Sequence, residues 1–141
     1  KKEEIERRRE ELFTYFGIVP FQHKKIEELS TGMKQKVAIA VSLVHDPEVV
    51  IFDEPTNGLD IITARAVTDY LRYLKEQGKV VIISTHVMSE AQKLCDRMAM
   101  IIDGKSVFEG TLDEALEKTG AGDLEEAFFA IYCEQKKEEI S

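Results

Sequence analysis

The sequence carries no basic excess, no long apolar run and no cysteine framework, and each of these gaps narrows what the chain can do. Nineteen Lys and Arg against 27 Asp and Glu leave a formal net charge of −8, so nucleic acid is not expected as a direct partner. Cys95 and Cys133 stand far apart and match no metal-ligand spacing; they are expected to be reduced, mostly buried thiols in a cytosolic setting. No apolar stretch reaches the roughly 18 residues that cross a bilayer, and no charged-then-apolar leader opens the chain. Any membrane link is therefore expected to come through a partner. Three prolines and 43% hydrophobic residues argue against disorder, and 141 residues suffice for one domain with a real core. The opening Lys-Lys-Glu-Glu-Ile-Glu-Arg-Arg-Arg-Glu has neither initiator methionine nor capping residue; it reads as the middle of a charged helix and is expected to be a cut end.

What is present follows helical and strand periods in turn. Ile5, Leu12, Phe13 and Phe16 share one helical face, and Gly17 with Pro20 stops that helix. A second helix is expected from Ser30, with Val37, Val41 and Val44 as its apolar stripe and Asp46-Pro47 as its end. Val49 to Phe52 and Val80 to Ile83 are short unbroken apolar runs, which suit parallel strands buried on both faces. Between them Val67, Tyr70, Leu71 and Leu74 form a helical stripe closed by Gly78, giving a strand-helix-strand crossover. A short helix over 89–94 leads to Met98–Ile102, and Asp103-Gly104 is a hairpin turn into Ser106-Val107-Phe108, an antiparallel finish to the sheet. Thr111 with Glu114, and Asp123 with Glu126, have capping-pair spacing, and Leu124, Ala127, Phe128 and Ile131 stripe the last helix.

Chemistry concentrates at the expected strand ends. Asp53 and Glu54 follow the first strand, at the carboxyl edge where open α/β sheets bind ligands. A magnesium–phosphate centre needs one carboxylate for the metal's shell and another to orient water, and neighbouring acids can supply both by facing differently. His86 follows the second strand at the same edge. Taken alone it would be a structural histidine, and its neighbours turn the reading towards a site. Ser30 and Gly32 stand at a helix start, where unpaired backbone N–H groups and the dipole favour an anion.

In this order the residues resemble one family. Leu29-Ser30-Thr31-Gly32-Met33 resembles the signature motif of ABC (ATP-binding-cassette) ATPases, and Val49-Val50-Ile51-Phe52-Asp53-Glu54-Pro55 resembles their Walker B strand. Asn57-Gly58-Leu59-Asp60 is similar to the D-loop, and Ser84-Thr85-His86 to the histidine switch. Thr31 and Met33 stand where glycine and glutamine are frequent in the family; a backbone N–H survives both changes. The resemblance implies an α/β fold that is part of a P-loop NTPase-like cassette: parallel strands, flanking helices and a terminal antiparallel hairpin. Residues 1–47 would belong to the helical signature subdomain, 48–110 to the catalytic core and 111–141 to C-terminal helices. It further implies that Asp53 supports Mg2+, that Glu54 is the general base, and that His86 contacts the γ-phosphate of ATP. Ser30, Thr31 and Gly32 would grip the ATP of an opposing subunit, and Asp60 would communicate across that interface. The implied partners are a second ABC ATPase subunit and a transmembrane permease, with the ATPase at the inner face of the cell membrane. The stretches Ser84–Ala91 and Leu94–Arg97, with the Asp103-Gly104-Lys105 hairpin, look most like bacterial drug- or sodium-extrusion ATPases, and so point to an exporter.

None of the eight glycines precedes Gly-Lys-Ser or Gly-Lys-Thr at P-loop spacing. The backbone nest and lysine that hold β- and γ-phosphates are thus missing from these residues, as are the family's base-stacking aromatic and Q-loop. The chain alone is expected neither to bind ATP tightly nor to hydrolyse it, and open sheet edges make a swapped dimer an expectation. Two other readings remain: a soluble ABC protein working on ribosomes or chromosomes, for which neither basic arms nor long coiled coils are present, and a non-hydrolysing regulatory half-cassette.

Overall fold

The computed structural model describes residues 1–140; Ser141, the end of the expected C-terminal helical segment, lies outside the described residues. The chain divides into two compact units, Lys1–Thr85 and His86–Ser141.

The first unit opens with α1 (Lys2–Tyr15), runs through short 3₁₀ turns at Val19–Phe21 and Ile26–Glu28, and continues as α2 (Thr31–Leu43), β1 (Val49–Asp53), α3 (Ile61–Glu76) and β2 (Val80–Ser84). Gly17 has φ +65° and Gly78 φ +78°, left-handed geometry that glycine accepts where a helix must end. Leu12 and Phe16 on or just after α1, Ile39, Ala40 and Leu43 on α2, and Val67, Leu71 and Leu74 on α3 are buried. The stripe expected on α2 is thereby corrected. Val41 is 57% exposed, because α2 buries its Ile39, Ala40 and Leu43 face rather than the valine face. Tyr15, Phe16, Tyr70 and Tyr73 cluster with ring centroids 5.0 to 5.7 Å apart, and the Tyr15 hydroxyl donates to the Ala66 carbonyl at 3.0 Å. This aromatic contact ties α1 to α3.

β1 and β2 pair in parallel, Val49 with Val80 through Asp53 with Ser84. The expected burial on both faces is not found. Val50 is buried and Phe52, Val81 and Ile83 are half-buried, whereas Val49, Ile51, Val80 and Ile82 are 50 to 72% exposed. Within residues 1–85 α3 packs on β2, and nothing there covers the odd-numbered face of β1. A second correction concerns the antiparallel hairpin: it forms its own two-stranded sheet and does not extend the parallel one.

The second unit comprises α4 (Met88–Leu94), β3 (Met98–Ile102), β4 (Lys105–Gly110), α5 (Leu112–Thr119) and α6 (Leu124–Ile140). Asp103 (φ 49°) and Gly104 (φ 75°) make the tight turn of the hairpin. Met100, Ile102, Ala115, Leu124, Ala127 and Ile131 form its core. Thr111 caps α5 reciprocally with Glu114, by hydrogen bonds of 3.2 and 2.8 Å. At α6 the pairing differs from the expected box: Asp123 accepts from the Glu126 N–H, and the Glu126 carboxylate reaches the Gly122 N–H instead. Cys95 is half-buried and Cys133 is exposed, so the expectation of two mostly buried thiols fails at the latter. Among the described residues no helix is long and apolar enough to cross a membrane.

Candidate functional site

Asp53 terminates β1 at the carboxyl edge of the parallel pair, and its register partner is Ser84 at the end of β2. The Ser84 hydroxyl donates to Asp53 Oδ1, fixing the carboxylate from the neighbouring strand. Ser84 was legible in sequence only as part of Ser-Thr-His; its role as the acid's anchor comes from the strand register. Glu54 follows with φ 48°, a left-handed value uncommon outside glycine, and precedes the fully buried Pro55. Its N–H donates to the Ser84 carbonyl at 2.9 Å, and its carbonyl accepts from the Asn57 N–H at 3.1 Å. The chain thus turns sharply at Glu54, directly after the anchored Asp53.

The start of α2 is built on Ser30, whose Oγ accepts from the Met33 N–H at 3.2 Å while the Ser30 N–H lies 3.5 Å from the Met33 sulfur. Methionine in place of glutamine therefore still closes the cap. Thr31 and Gly32 are its first helical residues, and such residues have N–H groups without intrahelical acceptors. Neither has positive φ, which explains why threonine is accommodated at the first position. Gly32 answers to proximity instead: a Cβ there would lie 3.4 Å from the Gly58 carbonyl oxygen and 3.8 Å from Leu59 Cδ2. The tip of α2 and the loop through Gly58 are thus packed together.

Asp60 is the N-cap of α3. Its Oδ1 accepts from the N–H groups of Ile62 (3.1 Å) and Thr63 (3.0 Å), and its Oδ2 accepts from the Thr63 hydroxyl at 2.7 Å. The Thr63 hydroxyl above all, then the backbone donors, hold its carboxyl below the ordinary aspartate value. Ile61 and Ile62, directly after it, are 85% and 80% exposed. His86 is the first residue of the second unit, exposed, two positions ahead of α4.

Among the described residues no three or more of His, Cys, Asp and Glu gather as a metal cage. A single anchored carboxylate suits a hard cation that keeps water and takes further oxygens from phosphates. The donor set fits magnesium that takes its remaining ligands from water and phosphate oxygens.

At the opposite end of the strands is a feature the sequence did not announce. Asp46 accepts from Arg8 at 3.0 Å and pairs with Lys79 at 2.9 Å, and Arg8 also donates to the carbonyls of Leu43 and Val44 at the end of α2. The Lys79 hydrogen bond is the largest of the influences lowering the Asp46 carboxyl. A cavity of about 670 Å³ adjoins this cluster, walled by Tyr15, Tyr70 and Tyr73. Neither Asp53 nor Glu54 lines it, and its Arg8, Asp46 and Lys79 already satisfy one another.

The profile of the ABC transporter family matches residues 1–57. The ABC transporter ATP-binding protein NatA of Bacillus subtilis (strain 168) is 38% identical over 129 residues, which are 92% of this chain and 52% of that protein. A solved ATP-binding subunit of an ABC transporter superposes with a TM-score of 0.87 at 29% identity, over 94% of this chain and 56% of the other. The ATP-binding cassette MJ0796, solved as a dimer in a post-hydrolysis state bound to ADP and Pi, superposes with a TM-score of 0.68 at 29% identity, over 74% and 46%. The chain spans about half the length of the relatives it matches.

Proposed function

The chain belongs to the ABC ATPase family, and on that premise we propose that it forms part of the ATP-hydrolysing subunit of an exporter, acting through a separate membrane permease at the inner face of the cell membrane. The observation that carries this is the carboxyl edge of β1 and β2, where Ser84 anchors Asp53 and the backbone then turns Glu54 aside. In this reading Asp53 holds the water shell of Mg2+, which when bound neutralises phosphate charge. Glu54 accepts a proton from the attacking water and orients it. His86 donates to the terminal phosphate and steadies its developing charge.

Ser30, Thr31 and Gly32 bind the γ-phosphate of ATP carried by a second subunit, so a complete site takes two chains. Two observations support that pairing. The tip of α2 is exposed at Ser30 and Thr31, and the Asp60 cap is followed by two bare isoleucines, apolar surface of the kind that marks an interface. Asp60 contributes by fixing the direction of that loop. The loop that holds the β- and γ-phosphates must come from residues other than these 141. The isolated chain therefore does not bind ATP at micromolar concentration, and calorimetric binding there would contradict it.

The decisive variant is Glu54→Gln in the full-length protein that carries this chain. Steady-state hydrolysis should fall by roughly two orders of magnitude or more, with an ATP-bound dimer persisting in solution. Near-normal turnover would remove Glu54 from the role. His86→Ala should likewise cripple turnover, whereas Cys95→Ser should not.

A further inference from the structure

Between Asp53 and Asp60 the backbone holds a shape that is not its own preference. Glu54 is left-handed at φ 48° without being glycine, and proline after it restricts its backbone further. Such geometry persists only where the surroundings over-determine it. Two of the bonds that hold it are backbone bonds, from the Glu54 N–H to Ser84 and from the Asn57 N–H to Glu54. A third comes from a side chain 20 residues away. Gln35 Nε2 on α2 donates to the Pro55 carbonyl at 3.2 Å, in a partly buried setting beside the fully buried Pro55 ring. Gln35 sits one helical turn beyond Thr31, so it moves with the helix tip as one rigid piece.

We propose that Gln35 is a positioning residue that couples the Ser30–Gly32 tip of α2 to the carboxylate of Glu54, through the Pro55 carbonyl. The inference rests on the reading of Glu54 as the group that orients water and of the α2 tip as a phosphate contact, and it adds the regulation of that site. When the tip is seated, the Gln35 amide holds the peptide after Glu54 and keeps the acid aimed. When α2 shifts or the amide is lost, the 54–57 turn relaxes and the carboxylate leaves its line of attack. The close approach of Gly32 to the Gly58 carbonyl gives the same helix a second hold on the same loop. Gln35 itself touches no nucleotide in this scheme, so its loss should slow turnover without weakening ATP binding.

The test uses the full-length protein and three variants. Gln35→Met keeps the length of the side chain and removes the donor, and kcat should fall about 10- to 100-fold while KM for ATP and the thermal midpoint hold. Gln35→Lys restores a donor of sufficient reach and should recover most of that rate. Glu54→Gln in the same background separates the two claims. If it is inactive and Gln35→Met hydrolyses ATP like the parent, the coupling is wrong and the function stands. If Glu54→Gln still turns over normally, the functional reading fails and takes the coupling with it. A fall in kcat accompanied by a raised KM and a lowered midpoint, with no rescue by lysine, would reduce Gln35 to ordinary packing and overturn the proposal. Should Gln35→Met not fold, Gln35→Glu keeps the shape without the amide donor and is held to the same outcomes.

Discussion

The two units solve the same problem of burying apolar side chains with unequal completeness. In residues 1–85, twelve large hydrophobic side chains are exposed, from Ile5 to Ile82; in residues 86–141 the exposed ones among the described residues are Ile101, Phe129 and Tyr132. The difference exceeds the difference in length, and four of the twelve lie on the odd-numbered face of β1 and its partners on β2. The second unit closes its core between β3, β4, α5 and α6. The first unit carries Ser30, Asp53, Glu54 and Asp60, and its parallel sheet leaves Val49, Ile51, Val80 and Ile82 bare, whereas the antiparallel sheet of the second unit exposes one large aliphatic side chain, Ile101. Parallel sheets are normally covered by helices on both faces, so the proposed site stands on the unit with the more uncovered apolar surface.

This contrast is most exposed to challenge in the second core. Leu124→Ala should destabilise residues 86–137 by about 2–5 kcal/mol, read by hydrogen exchange in α6 and β3; a loss below that range would mean the unit is not close-packed. Thr111→Ala removes one half of a reciprocal cap and should cost about 1 kcal/mol, measured as a shift in the denaturant midpoint. Ile51→Thr, at a side chain 72% exposed, should change stability by less than about 0.5 kcal/mol in this chain. If it costs as much as Leu124→Ala, the open face is covered in solution and the contrast disappears.

Acid probes the same inequality from another direction. Asp46 and Asp60, both in the first unit, have folded values held below the ordinary one, by Lys79 and by Thr63 respectively. A group depressed in the folded state stabilises above its unfolded value, about 3.9 for aspartate, and loses that contribution as pH falls from there through its folded value. The first unit should therefore lose the contribution of these two carboxylates as pH is lowered through that window. Asp60→Asn keeps a capping oxygen and should show a shallower decline on the same titration; an unchanged slope would deny the cap its acid dependence.

Much of this was legible in order and spacing. Asp53-Glu54 after an apolar run, Ser30 before a periodic helix and Asp103-Gly104 between two strands each predict local geometry that the structure contains, because a strand end, a cap and a tight turn depend on few residues. Which face of α2 is buried was misread at Val41, since the valines repeat as regularly as Ile39, Ala40 and Leu43 and only the surrounding packing chooses between them. The open sheet face was misread for a related reason: an unbroken apolar run records what a strand is built to bury, and not whether these residues bury it.

Family, element order and the residue types at each strand end were thus already written in the chain's order of residues. That Ser84 anchors Asp53, that Gln35 reaches Pro55, and that Asp46 draws Arg8 and Lys79 together came from the folded arrangement alone. These contacts join residues 20 to 38 positions apart, and no local period records them. They follow from strand register and helix packing, which place distant side chains within hydrogen-bonding reach once the backbone is fixed.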